Sequence, residues 1–337
     1  MDRRYHESGS EPEGTLARCA GDALWCKLAV AMSGSVRENA PPDPDGSADE
    51  PPVTRDRVVR ALADDDTFRV IVAVTTETAR GAIAAQQATG ATARHFAELL
   101  TGAVLVRETM SPHHRVQVVL KGAGGRGSLV ADAHPDGMTR GLVKRPDGDD
   151  DVTFGPGNSL LVMRGGAQGM YRSVTAPPEG GGVAEALMLY LQSSEEIISV
   201  IAVGTHEAKD GDNAWIHCGG YVVQLLPGAA RGPLMVMTER LAAMPSVGEL
   251  LANAGGNADE LLAELLYLMP HAKLGDSNVH HGCLCDERAV LASLATLPRE
   301  DLIELTIGDD VLEIACDYCT KDYAIRSTQL QGLLAPS

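Results

Sequence analysis

Basic residues are scarce in this chain: 28 Lys and Arg stand against 46 Asp and Glu over 337 residues, a formal charge of −18. No stretch gathers the positive charge that draws a protein to polyphosphate or to an anionic bilayer, so neither a nucleic-acid nor a membrane partner is expected. Long apolar runs are missing as well. None approaches the roughly 18 residues that a membrane-spanning helix requires. Asp2, Glu7, Glu11 and Glu13 precede any apolar stretch, which is not the basic-then-apolar layout of an export signal, and a cytoplasmic protein is expected. Cysteine is sparse, seven in all, and lacks the even scatter of a secreted disulfide scaffold; that favours a reducing compartment. No Ser/His/Asp arrangement, paired-carboxylate site or phosphate loop can be argued from spacing, so the sequence reads as a non-enzyme.

What is present is concentrated near the carboxyl end. Cys283-Leu-Cys285 and Cys316-Asp-Tyr-Cys319 form a C-x-C and a C-x-x-C pair with 30 residues between them. Zinc favours four thiolates in a tetrahedron, and short paired spacings let each tight turn supply two sulfurs. The reading is a closed Zn(2+) site with Cys283, Cys285, Cys316 and Cys319 as ligands. His280 and His281 stand close by but are surplus to a four-sulfur set. Cys19, Cys26 and Cys218 look incidental.

An apolar content of 44% and a charged content of 22% suit a globular chain of about two domains. Residues 1–54, rich in Pro, Gly, Ser, Asp and Glu, read as a disordered extension with a possible short helix over Leu16 to Met32. Residues 55–228 read as an α+β core domain. A buried strand is expected at Thr67 to Thr75, helices at Glu77 to Gln87 and Thr92 to Val106, and a helix at Val183 to Ser193. Strands are expected at 115–121, 128–133, 139–143, 159–163, 170–175, 199–204 and 215–226. Strands follow one another more than they alternate with helices, which favours α+β over a βαβ plan. Residues 229–278 read as a linker of short helices, weakly stable alone because Pro233, Pro245 and Gly255-Gly256 interrupt them. Leu234, Met235, Leu241 and Met244 lie at helical spacing there, an adaptable apolar face that needs a surface to cover. Residues 279–337 form a small α/β module around the four cysteines, with a helix at Asp286 to Leu297, a strand at Val311 to Ala315, and Tyr323 to Ile325 as its partner. So small a core is expected to draw much of its folding free energy from metal.

Gly122-Ala-Gly-Gly-Arg-Gly127 matches the dinucleotide fingerprint letter for letter, but Ser128-Leu-Val-Ala131 after it is strand-like, and no helix start is available to face a pyrophosphate. A glycine-rich hairpin is the better reading. The C-x-x-C pair is not in the βαβ setting of a thiol oxidoreductase. Ten acidic against four basic residues in 279–337 give the wrong sign for a phosphate-binding zinc ribbon.

The two cysteine pairs, followed by Tyr323, resemble the heat-shock protein 33 (33 kDa chaperonin) family of redox-regulated chaperones. Further similarity lies in Arg57-Val-Val-Arg-Ala-Leu62, Gly127-Ser-Leu-Val-Ala-Asp-Ala133, Arg140-Gly-Leu-Val143 and Gly220-Tyr-Val-Val-Gln-Leu-Leu-Pro-Gly228, so it runs from about residue 55 to the end. Asp286-Glu-Arg-Ala289 replaces the family's basic Ser-Arg-Glu-Arg stretch, and His280-His-Gly282 its apolar and basic lead-in; neither removes a ligand. The resemblance implies an ATP-independent holdase, inactive while zinc is bound and activated by hypochlorous acid or by peroxide with heat. It implies disulfides Cys283 to Cys285 and Cys316 to Cys319, release of zinc, exposure of the Leu and Met face to unfolded client proteins, and a homodimer in the oxidised form. The competing reading is a zinc-ribbon adaptor for ribosome or RNA whose metal is purely structural.

Overall fold

A computed structural model describes residues 56–334 apart from 150, 167, 168, 179, 211, 212, 230 and 308–310. The amino-terminal extension and its Leu16 to Met32 helix lie outside the described residues. In chain order the elements begin with β1 (Arg57–Ala63), β2 (Phe68–Val74), α1 (Thr76–Gln86), α2 (Gly90–Thr109), β3 (Arg115–Lys121), β4 (Ser128–Ala133) and β5 (Met138–Lys144). They continue with β6 (Ser159–Gly166), β7 (Gly169–Thr175), α3 (Val183–Ser194), β8 (Ser199–Asp210) and β9 (Asn213–Leu225). The linker contributes α4 (Arg231–Ala243), α5 (Val247–Asn253), α6 (Ala258–Leu265) and β10 (His271–Asn278), and the two-residue β11 (His280–His281) follows it. The carboxyl-terminal module holds α7 (Glu287–Leu294), α8 (Arg299–Thr306), β12 (Val311–Ala315), β13 (Asp322–Arg326) and α9 (Ser327–Leu334).

Two large sheets organise the molecule: β10-β1-β2-β9-β8, antiparallel throughout, and β11-β5-β4-β3-β6-β7, antiparallel except for the parallel pair β11 and β5. The α+β class is as the strand succession led one to expect. Helices α1, α2 and α3 lie between the sheets. Ile71, Ala73 and Val222 from the first sheet, Phe96 and Leu100 from α2, Leu187 from α3, and Val118, Leu129 and Val162 from the second all belong to one buried cluster. The other face of the first sheet, with Val70, Val72, Tyr221 and Val223, packs against Met237, Leu241, Leu250, Leu251, Leu261 and Leu265 of α4, α5 and α6. Strand β2 is thus apolar on both faces from Val70 to Val74 because both are covered, which explains its Val-Ile-Val-Ala-Val run.

The glycine-rich segment is a hairpin connection. It joins β3 to β4, with Lys121 paired to Ser128, and Gly124, Gly125 and Gly127 all take positive φ, where a side chain would be strained. At the next hairpin Gly137 (φ +86°) has a second constraint: a Cβ there would stand 2.1 Å from the Asn278 carbonyl oxygen.

Two readings of the sequence need correction. The linker is helical only as far as Leu265; residues 271–278 form β10, paired antiparallel with β1. Strand β1 itself was not anticipated, since Arg57 and Arg60 break its apolar pattern. The two strands explain each other. Arg57 bonds Asp276 at 2.5 Å and pairs with Asp259 at 3.1 Å, while Arg60 donates to Ser277 Oγ at 2.7 Å, so the charges that obscure the pattern fix the pairing. After β10 the chain crosses to the second sheet. His280 N–H bonds the Gly137 carbonyl and Gly282 N–H the Thr139 carbonyl, and Cys283 follows at once.

Candidate metal centre

The four sulfurs meet where two turns of the module face each other. The loop after β11 carries Cys283 and Cys285 and runs into α7, whose first turn is capped by Asp286: its carboxylate accepts from Ala289 N–H at 2.6 Å. The acidic residue that departs from the basic pattern therefore has a structural task. The second turn leaves β12 and returns as β13. Cys316 N–H bonds the Lys321 carbonyl at 2.9 Å, Thr320 N–H bonds the Cys316 carbonyl at 2.8 Å, and Thr320 takes φ +58° to close the knuckle.

Cys283 and Cys316 lie 3.8 Å apart at sulfur, Cys285 and Cys319 3.3 Å, and all four sulfurs fall within 4.8 Å of one another. A tetrahedral zinc with bonds of about 2.3 Å holds its sulfurs about 3.8 Å apart, so the cluster has the size that ion needs. Among the described residues this is the one group of three or more His, Cys, Asp or Glu ligand atoms converging in this way, and no histidine joins it. The cluster is thus compatible with a metal ion and, equally, with disulfide chemistry.

The surroundings favour ionised sulfur at Cys285. Tyr323 on β13 donates its hydroxyl to Cys285 Sγ at 3.1 Å and to the Cys285 carbonyl at 2.9 Å. Burial opposes ionisation of Cys285, but hydrogen bonds from Tyr323 and the neighbouring thiols outweigh it and bring this thiol down to about 7. Burial, reinforced by the neighbouring sulfurs, pushes Cys319 up to about 12. Tyr323 is raised because its proton is held by Cys285.

Residues of the core domain also reach this site. Arg140 Nη1 on β5 lies 3.4 Å from Cys283 Sγ, and the same guanidinium stacks 4.1 Å from the centre of the Tyr318 ring inside the C-x-x-C turn. Gln86 at the end of α1 donates to the carbonyls of Asp317 (2.7 Å) and Tyr318 (3.1 Å), and Gln117 on β3 lies 3.3 Å from the Tyr318 hydroxyl. None of these three was singled out as a site residue in the sequence. The available signal for Arg140 was its place in Arg140-Gly-Leu-Val143, one of the segments of family similarity.

The residues proposed for client contact are differently placed. Leu241 is fully buried against the first sheet, Leu234 and Met244 are partly buried against the same cluster, and Met235 is 58% exposed. Met237, beside them, is fully buried. Among the described residues no helix is long and apolar enough to cross a membrane.

A family model described as Hsp33 protein matches residues 56–326. The 33 kDa chaperonin of Syntrophotalea carbinolica is 30% identical over 292 residues, covering 83% of this chain and all of that protein. That of Streptococcus sanguinis is 27% identical over 289 residues, covering 83% and 98%. The crystal structure of the 33 kDa chaperonin (heat shock protein 33 homolog) from Thermotoga maritima matches with a TM-score of 0.69 at 21% identity, over 83% of this chain and 98% of that one, a likeness of fold.

Proposed function

The chain belongs to the Hsp33 family, and from that premise we propose that it is a redox-regulated, ATP-independent holdase that binds unfolding proteins under oxidative stress. The observation that carries the reading is the convergence of Cys283, Cys285, Cys316 and Cys319 in a module whose largest buried cluster among the described residues is three side chains, Tyr323, Ile325 and Leu330. Relatives named chaperonins agree with a binding role and with no enzymatic one. Zn(2+), when bound by the four thiolates, cross-links the two turns and leaves no coordination position for a substrate.

The same sulfurs are the trigger. On the family pattern Cys283 joins Cys285 and Cys316 joins Cys319. Each pair of thiolates gives up two electrons to peroxide, which with two protons from solvent becomes two molecules of water, and neither turn can then supply sulfur ligands to a metal. A bridge across the single residue Leu284 is near the limit of disulfide geometry, so the first pair is the more readily reduced. Loss of about 10 kcal/mol of metal-derived folding free energy exceeds what so small an apolar core offsets, and the module unfolds. β11 and β10 then lose their carboxyl-terminal anchor. The helices α4 to α6 loosen with them, and Leu234, Leu241 and Met244 join Met235 as a surface for clients. The oxidised protein is a homodimer and acts in the cytoplasm, without nucleic-acid or membrane partners.

A simultaneous assay of zinc release and of light scattering by a denaturing client tests this. Reduced protein is expected to hold one equivalent of zinc and leave aggregation unchecked; peroxide with heat should release the ion and suppress scattering together. Zinc retained through oxidation, with no protection of the client, would favour a purely structural metal in an adaptor.

A further inference from the structure

The four-cysteine site is not a property of the module alone. Asp132 on β4 is fully buried and bonds Arg115 through Nε and Nη2 (both 2.6 Å), Arg140 through Nε (3.0 Å) and His134 (3.2 Å). It sits directly opposite Arg140 in the β4–β5 register, so strand pairing and ion pair fix the same guanidinium. With its side chain 14% exposed, Arg140 is held on one side by that carboxylate and on the other by Cys283 and the face of Tyr318. Four thiolates around a dication carry two net negative charges, and a buried guanidinium in contact with one sulfur offsets part of them. Without it the Asp132 carboxylate would lie near the anionic site with one compensating cation fewer. Lysine could restore the charge but not the planar fork that stacks on an aromatic ring while donating in two directions.

We propose that Arg140, fixed by Asp132, is a positioning residue for the metal centre: it holds the Cys283 sulfur and the Cys316-to-Cys319 turn against the second sheet, so that retention of the metal depends on docking to the core domain. This rests on the zinc-holding role proposed above and deepens it. The coupling runs both ways. Undocking the knuckle weakens the site, and a Cys283 sulfur taken into a disulfide is a poorer acceptor for Arg140 and weakens docking.

The test uses full-length reduced protein carrying Arg140→Gln, Arg140→Lys or Tyr318→Leu, and measures the rate at which excess chelator removes zinc. Arg140→Gln is expected to speed release by about tenfold or more, the usual consequence of losing a partner of a metal ligand, with Arg140→Lys in between. In cobalt-substituted protein the sulfur-to-metal charge-transfer band should move to lower energy in Arg140→Gln, because a thiolate without its donor is a stronger electron source; a merely structural role would not move it. A release rate within about threefold of wild type, or an unmoved band, overturns the assignment. Should Arg140→Gln fail to fold, Tyr318→Leu decides by the same release threshold, since it removes the stack and leaves the Asp132 pairs intact. Wild-type protein that binds no zinc overturns this inference and the proposed function together. Wild-type protein that holds and releases zinc as described, beside an indifferent Arg140→Gln, overturns this inference only.

Discussion

The core domain and the carboxyl-terminal module, joined through β10 and β11, are held together by different physics. In the core, both faces of the first sheet are sealed, one by α1, α2 and α3 and the other by the linker helices, and burial of residues such as Phe96, Leu100 and Leu241 contributes about 1.5–3 kcal/mol each. In the module α7 has no fully buried residue, α8 and α9 bury one leucine each, Leu302 and Leu330, and the one compact cluster surrounds Tyr323, Ile325 and Leu330. Apolar burial sustains the first region whatever the state of its thiols. On the proposed function the second is held by ligation. A sensor of that kind needs this inequality, because a chemical event at four sulfurs must unfold one part and leave the other standing.

The sharpest way to break that contrast is to remove ligands. Cys283→Ser with Cys316→Ser should abolish tight zinc binding and remove about 10 kcal/mol from the module, seen as loss of amide-exchange protection over 283–326 with β2 and α2 still protected. A double variant that keeps one equivalent of zinc would contradict the division.

The boundary between the regions can be probed at the linker. Leu241→Ala leaves a cavity under α4 at a cost of about 2–4 kcal/mol, and should expose apolar surface to a hydrophobic dye in reduced, zinc-loaded protein. Unchanged dye binding would mean that α4 does not cover the client surface.

Within the core, Glu98 on α2 sets a pH dependence of its own. Burial raises its carboxyl from 4.5 to about 7, so the folded state holds a proton that the unfolded chain has released. Its contribution is fully present below about pH 4.5 and is lost as pH rises through about 7, a decline of about 3 kcal/mol. Glu98→Gln should flatten this slope in denaturant titrations and make the core more stable than wild type at pH 8. An unchanged slope would place the proton elsewhere.

Smallest in stability is Met235→Ser. An exposed side chain costs within about 0.5 kcal/mol, yet oxidised protein should hold clients less well in the scattering assay. Full protection by the variant would remove Met235 from the client surface.

Much of this organisation could be read from local sequence. Strands β3, β4 and β12 occupy the expected residues, since alternation or β-branched density between turn residues leaves little freedom. The convergence of the four cysteines was legible for a similar reason. Two sulfurs one or two residues apart are forced into one turn, and only the meeting of the turns is left to the fold. The strand at 271–278 was not legible, for His-Ala-Lys-Leu-Gly-Asp-Ser-Asn has no β-branched residue and no alternation; its place is set by β1, more than 200 residues away.

By itself, then, the sequence determined the four-cysteine cluster, most of the central strands and helices and the smallness of the module, because each depends on the identity and spacing of neighbours in the chain. Which core residues touch the sulfurs, and which linker residues are hidden at rest, was decided by tertiary structure. Arg140 and Cys283 are 143 positions apart, and Leu241 differs from Met235 only in facing the sheet. Contacts of that kind arise when two sheets and the crossover between them close in space, and no local pattern encodes the closure.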